Sequence, residues 1–183
     1  MRAIGLTALV GFSVVLFARD AAAVSVKNFR ELAAFYSSAT GVPLTQPQVQ
    51  TAYNNVKTRL PKQGTVDEFA SPAVLGALEL SGAFCNAFIT VESTAPAASR
   101  RVHQTIDFAK TTRQLADADV LALAKGYARM FWTRDARPNE EAALVATITK
   151  LKTVTPDTTV GTKQLSLVLC TQAATSLDAL VNR

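Results

Sequence analysis

Apolar residues recur at intervals of three and four along most of this chain, and this spacing limits the folds that it can adopt. Val49, Tyr53, Val56 and Leu60, for example, are separated by four, three and four positions. One face of an α-helix has this period, whereas a half-buried strand alternates with a period of two. No stretch of the sequence alternates over a sustained length. The pattern predicts an all-α fold, a single bundle of five or six helices.

Capping and turn residues divide the pattern into segments. Predicted helix starts lie at residues that favour them: Asn28, Thr45, Ser71, Asp117 or Asp119, Pro138 and the Pro156–Asp157 pair. Thr65–Glu68 has the spacing of a short capped turn. Small residues and one proline predict a loop over Val91–Ser99, and residues 100–113 are either a short helix or an irregular crossing. We expect the last helix to continue to Leu180, and Gly82 to mark a close contact between helices.

The first 23 residues have the pattern of a secretory signal peptide. Arg2 provides a positive start, and an apolar run extends over residues 4–18. Signal peptides have an apolar core of about 7–15 residues, whereas a membrane-spanning helix needs about 20. Ala21 and Ala23 are the small residues of a cleavage site. We predict cleavage after Ala23, which leaves residues 24–183 as an exported helical domain; the alternative is an N-terminal anchor helix that is retained.

Composition and charge argue against several classes of protein. The chain is 49% hydrophobic and 18% charged, which is too apolar for a disordered tail or a charged scaffold. The net charge of +5 falls to +4 when Arg2, Arg19 and Asp20 leave with the signal peptide. The remaining basic residues are scattered, and Arg100 and Arg101 are too few for a nucleic-acid-binding stripe. We therefore expect one soluble domain that binds no nucleic acid and, after cleavage, has no stable membrane span.

The two cysteines of the chain predict one disulfide bond. Cys85 and Cys170 form an even set in a chain with an export signal. A redox-active pair is usually close in sequence, and a reactive thiolate needs an adjacent histidine or a helix N-terminus; neither condition is met. We expect a structural bond between the middle of the chain and its last helix. Two buried free thiols are the alternative.

His103 is the single histidine, and this limits the possible catalytic and metal sites. Most hydrolytic dyads and triads and most histidine-rich metal sites would have to include it. Asp107 lies four residues on and would tune a proton carrier if both shared a helix face. Met130 would complete an axial pair at a haem iron, but no Cys-X-X-Cys-His motif is present. We expect a non-enzymatic protein with no catalytic residue, no metal and no cofactor.

Acidic and basic residues cluster around Pro138. Glu140 and Glu141 follow this proline at a helix start, where the helix dipole favours negative charge, so their role is predicted to be structural. A cluster of arginines and aromatic residues lies just before Pro138. It would bind a glycan, a peptide or an anionic surface if its aromatic rings face solvent. If they face inward, Trp132 belongs to the core and the arginines form a solvated rim. This candidate binding surface comprises Arg129, Phe131, Trp132, Arg134 and Arg137.

Two parts of the chain resemble known helical modules. Residues 38–42, the apolar stripe from Val49 to Leu60, Phe69 and residues 78–86 are similar to a helical module of secreted bacterial proteins, some of which carry LamG-type domains. Tyr127–Glu140 resembles helical domains attached to exported planctomycete-type cytochromes. The resemblance implies an exported helical module and carries neither lectin binding nor electron transfer to any residue, because the chain has no LamG domain and no haem motif.

These observations together favour an interaction or assembly component of the bacterial periplasm or cell surface, with protein partners in the cell envelope and an oligomeric state left open. The alternative is a carrier of a small apolar ligand with a cavity inside the helix bundle.

Overall fold

The computed structural model describes residues 25–57 and 71–182 of the chain. The predicted all-α fold is confirmed: six helices of 10 to 24 residues and one of four residues occupy the described part. They are α1 (Phe29–Thr40), α2 (Pro47–Val56), α3 (Ser71–Thr94), α4 (Asp117–Trp132), α5 (Pro138–Val154), α6 (Thr159–Ala174) and α7 (Leu177–Leu180). The predicted signal peptide and the predicted turn at Thr65–Glu68 lie outside the described residues.

Short elements that the periodicity did not predict join the helices. Two 3-10 turns lie at Ala97–Ser99 and Thr112–Gln114. Strands β1 (Ser25–Val26) and β2 (Val181–Asn182) pair in antiparallel register. The Lys27 ammonium donates to the carbonyls of Ala179 at 2.8 Å and Val181 at 2.5 Å. The two ends of the described domain are therefore held together.

The ends of α1 agree with the residues that predicted them. The Asn28 side chain accepts from the backbone N–H groups of Arg30 and Glu31, and the Glu31 carboxylate accepts from the Asn28 N–H. This reciprocal pair satisfies donors that a helix start leaves open. Gly41 ends the helix with φ of 73°, in the left-handed region that glycine adopts without steric cost.

Two other helix boundaries differ from the prediction. Gln46 rather than Thr45 occupies the capping position of α2, and its side chain makes no capping hydrogen bond. The last helix breaks between α6 and α7. There the Thr175 hydroxyl donates to the Thr171 carbonyl at 2.8 Å, and the Ser176 hydroxyl donates to the Ala173 carbonyl at 2.9 Å. Such local side-chain bonds compete with helical ones, and the apolar pattern did not reveal them.

Helix α3 is the central element of the bundle. It packs against α1, α2 and α6, and a disulfide joins its Cys85 to Cys170 of α6, as predicted. Its stretch Val74–Thr94 has the length and apolar composition of a membrane-spanning helix, but half of that stretch is buried within the protein. A core helix of a folded domain has the same composition, and the contacts of α3 account for it.

The C-terminal turn of α3 lies where the sequence predicted a loop. Residues 91–94 are helical, and only then does the chain leave the helix before Pro96. The hydroxyls of Thr90, Ser93 and Thr94 donate to carbonyls three or four residues earlier in the same helix. Helix α3 is thus one turn longer than predicted. As a result, Glu92 lies on a helix and is 5% exposed.

The close approach expected at Gly82 is found instead at Gly126 of α4. No atom lies within 4 Å of the position that a Cβ would take at Gly82. At Gly126 a Cβ would lie 2.7 Å from Cγ1 of Val102. The missing side chain lets the irregular segment 100–106 lie directly on α4. This contact places His103 next to Tyr127, one residue along the helix.

Candidate functional site

The predicted binding surface around Trp132 is divided between the core and a helix junction. Phe131 is 2% exposed, and its ring centroid lies 6.2 Å from those of Phe35 and Tyr36. The half-buried Trp132 donates from Nε1 to the carbonyl of Ala173 at 3.0 Å. The interpretation with inward-facing aromatic rings therefore describes this cluster, and Phe131 presents no ring to a partner.

Arg134 joins three elements rather than facing solvent. Its guanidinium donates to both carboxylate oxygens of Glu140 at 2.7 Å and also contacts the carboxylate of Asp178 on α7. The hydrogen bonds from Arg134 and from the Arg137 backbone N–H lower the pKa of Glu140 to about 2. Arg129 stays largely exposed beside Asp135 at 3.3 Å, and Arg137 is exposed at the start of α5.

His103 lies at the centre of a buried chain of hydrogen bonds. Its Nδ1 is 2.5 Å from Oε2 of Glu92, and its Nε2 is 2.6 Å from the hydroxyl of Tyr127. The rings of Phe88 and Phe108 pack beside the imidazole, with centroid distances of 5.5 and 5.3 Å. We call Glu92, His103 and Tyr127 the buried triad. Both His103 and Tyr127 are 0% exposed.

The sequence missed both partners of His103. Asp107, which the sequence offered as a partner, instead accepts from the backbone N–H of Ala109 at 2.9 Å. Glu92 was hidden because its segment was predicted to be a loop. Once α3 is extended, Glu92 follows Phe88 by four positions and Ile89 by three, so it lies on the buried face. A carboxylate on an apolar helix face was the signal that could have found it.

The carboxylate of Glu92 is the acceptor for a whole segment of backbone. Besides His103 Nδ1, it accepts from the backbone N–H groups of Arg101 at 2.5 Å, Val102 at 3.3 Å and His103 at 3.2 Å. Burial by itself raises the pKa of Glu92. The hydrogen bonds from the His103 side chain and from the Arg101 backbone, with the attraction of His103, outweigh burial and lower that pKa to about 2.

The protons of the triad follow from these contacts. Because the ionised Glu92 only accepts, Nδ1 of His103 carries a proton towards it, and Nε2 of His103 is hydrogen-bonded to the Tyr127 hydroxyl. Burial and the charge of Glu92 raise the pKa of Tyr127, so that this hydroxyl keeps its proton. Every polar atom of the three side chains therefore has a hydrogen-bond partner within the protein. A haem iron would have to displace one of these hydrogen bonds to reach His103.

A cleft of about 320 Å³ lies next to the triad. The turn between α1 and α2 forms one wall, the C-terminal half of α3 forms the floor, and the segment held by Glu92 forms the opposite wall. Glu92 reaches this cleft and His103 is not part of its lining. We call it the apolar cleft, and it is lined by Thr40, Gly41, Val42, Pro43, Gln46, Ala87, Phe88, Val91, Glu92, Ala95, Ser99 and Arg101.

A second cleft lies on the other side of Arg101. It has a volume of about 280 Å³ and is lined mainly by polar groups, among them Gln104, Thr105 and Arg129. We call it the polar cleft. Arg101 lines both clefts, and its Nη2 donates to the carbonyl of Ala39 at 3.1 Å. The described residues contain no group of three histidine, cysteine, aspartate or glutamate side chains that could hold a metal ion.

The contacts of Glu92 predict how the free energy of unfolding depends on pH in the acid range. Because the folded-state pKa of Glu92 is about 2 and that of an unfolded glutamate is about 4.3, the stabilisation is complete above pH 4.3. It is lost as the pH falls towards 2. We expect this carboxylate to account for about 2 kcal/mol of the loss, with partial solvent screening allowed for.

Urea unfolding at a series of pH values measures this effect. Glu140 also titrates in this range, so the informative comparison is between the wild type and Glu92→Gln, which keeps the shape of the side chain without the titrating group. The curve of the variant is expected to be flatter between pH 4.3 and 2. Parallel curves would show that Glu92 does not carry the effect.

Comparisons of this chain with protein-family models, with curated proteins and with solved structures find no match.

Proposed function

We propose that this chain is an exported, non-enzymatic binding component of the bacterial cell envelope, and that the apolar cleft is its binding site. The observation that carries this proposal is the construction of the cleft. Its floor is formed by α3, which the disulfide joins to α6. Its far wall is the segment after α3, whose backbone is hydrogen-bonded to the carboxylate of Glu92. Binding to such a prearranged site costs little ordering of the protein.

The buried triad supports a structural role for His103. An imidazole acting as a general base needs a substrate proton within hydrogen-bond reach. Here both ring nitrogens are engaged and the ring is 0% exposed. The predicted N-terminal signal peptide and the disulfide between Cys85 and Cys170 support an oxidising, exported location.

The cleft also favours a form of the alternative, a carrier of a small ligand. Its volume lies at the lower end of the range for small-molecule sites, about 300–1,000 Å³. The cleft lies at the surface, between α3, the α1–α2 turn and the segment that follows α3, rather than at the centre of the bundle. The two forms differ in the occupant, a segment of a partner protein or a small molecule.

Photo-crosslinking in whole cells tests the proposal. A photoreactive amino acid is placed at Val91, which lines the cleft and is 61% exposed, and in a control protein at Val154, which is 67% exposed on α5. We expect a discrete adduct at position 91 and none at position 154, because only the first lies in the proposed site. The mass of the adduct distinguishes a protein partner from a small ligand. Equal labelling of both positions, or no adduct at position 91, would contradict the proposal.

A further inference from the structure

We propose that the two clefts at Arg101 bind a single-chain amphiphile with an anionic head group. This inference rests on the proposed binding function and names the chemistry of the ligand. Arg101 lies between the apolar lining of one cleft and the polar lining of the other.

Arg101 provides an accessible cation at the boundary of the clefts. Its guanidinium donates to one backbone carbonyl, that of Ala39, and forms no ion pair with a carboxylate of the described residues. The neighbouring Arg100 is used differently, since its guanidinium bonds to the carbonyls of Ala95 and Ile106 and lies over the ring of Phe108. Arg101 therefore keeps donors for an anion, which arginine binds through two parallel hydrogen bonds.

Glycine at position 41 keeps space beside this guanidinium. A Cβ there would lie 3.1 Å from Nη1 of Arg101, and the φ of +73° also disfavours any side chain. Among the described residues that line the apolar cleft, Glu92 carries the only carboxylate. Its oxygens already accept four hydrogen bonds from residues 101–103, and these donors offset part of the negative potential that would repel an anion.

The apolar cleft suits a short hydrocarbon chain. Val42, Pro43, Phe88 and Val91 contribute its apolar lining. With a volume of about 30 Å³ for an atom the size of a water molecule, 320 Å³ holds roughly ten non-hydrogen atoms. A chain of about eight carbons fits this volume, with its head group outside the apolar cleft at Arg101. Burying its methylene groups would drive binding, because this removes apolar surface from water.

The polar cleft suits the head group. Arg129 contributes a second guanidinium, which is 62% exposed, and its ion pair with the 81% exposed Asp135 is of the weak surface type. Gln104 and Thr105 add polar groups to the same lining. A carboxylate or phosphate on Arg101 would thus lie between an apolar and a cationic region, as an anionic amphiphile requires.

Titration calorimetry with octanoate, octyl phosphate and octanol below their micelle concentrations tests this inference on the purified protein. We expect saturable binding of both anions and binding of octanol that is weaker by about tenfold, the effect of one charge-assisted contact. Binding of octyl phosphate alone would identify a phosphate head group, and binding of octanoate alone a carboxylate.

Matched variants locate the site. Arg101→Gln is expected to lower the affinity for both anions about tenfold and to leave the affinity for octanol unchanged. The control Arg30→Gln, on the exposed surface of α1, is expected to change none of these affinities. Val91→Ser is expected to lower the affinity for all three probes, and Val154→Ser is expected to change none of these affinities. Unchanged melting temperatures confirm that the variants fold.

Equal affinity for octanol and the anions, anion binding that survives Arg101→Gln, or no saturable binding would overturn the inference. A protein adduct at position 91 in the crosslinking experiment, together with no binding of these probes, would overturn the ligand class and leave the proposed function standing. Anion binding that depends on Arg101, with no adduct at position 91, would support the ligand class and contradict the cleft's role in cells.

Discussion

Replacing both Cys85 and Cys170 by alanine is expected to lower the free energy of unfolding by about 4–5 kcal/mol. The bond joins residues separated by 85 positions, and closing a loop of this length restricts the unfolded chain strongly in the chain-entropy treatment. Domains of this kind have a stability of about 5–15 kcal/mol, so the variant is expected to lose much of it. Urea unfolding followed by circular dichroism measures the difference.

Reduced wild-type protein is the control for this experiment. It keeps both buried side chains and lacks the covalent bond, so it separates the effect of the crosslink from that of altered packing. We expect the reduced protein to be destabilised nearly as much as the double variant. A reduced protein as stable as the oxidised one would contradict the assignment of this bond as a main source of stability.

Glu92→Ala is expected to destabilise the protein by roughly 3 kcal/mol at neutral pH. The substitution leaves three backbone N–H groups and Nδ1 of His103 without their acceptor. Unpaired buried donors keep the cost of their lost hydration, and this cost exceeds the net value of the bonds themselves. The segment 100–103 is then held less firmly on α3, so we also expect faster amide hydrogen exchange there.

Glu141→Ala is the matched control, because it removes the same side chain from a partly exposed surface pair with Lys125 at 2.6 Å. Surface pairs of this kind contribute no more than about 1 kcal/mol. Tyr127→Phe should cost an intermediate amount, about 1–2 kcal/mol, since it removes one buried hydrogen bond to His103. If Glu92→Ala cost no more than Glu141→Ala, the triad would not hold the segment as described.

Local signals in the sequence predicted many of the elements correctly. Asn28 begins α1 and Gly41 ends it because both residues act on backbone groups within a few positions of themselves. Pro138 and Glu140 likewise mark the start of α5. The Cys85–Cys170 bond was predictable although it is long-range, because two cysteines allow a single pairing.

The contacts of the candidate site could not be predicted from such local signals. His103 has no partner within its own segment, since Glu92 lies 11 positions earlier and Tyr127 lies 24 positions later. The wrong assignment of Val91–Thr94 to a loop also hid Glu92, because a residue in a loop is not expected to face the core. Phe131 shows the reverse case: it stands in a cluster with arginines in the sequence, yet the fold turns it towards Phe35 and Tyr36.

The sequence by itself determined the helical class of this protein, most of its helix starts and its covalent crosslink, because periodicity, capping and cysteine count are local or combinatorial properties. Only the tertiary structure decided the environment of His103 and the presence of two clefts around Arg101. The physical reason is the packing at Gly126, where the absence of a side chain lets Val102 approach α4. That approach brings Glu92, His103 and Tyr127 from three separate segments into one hydrogen-bonded chain.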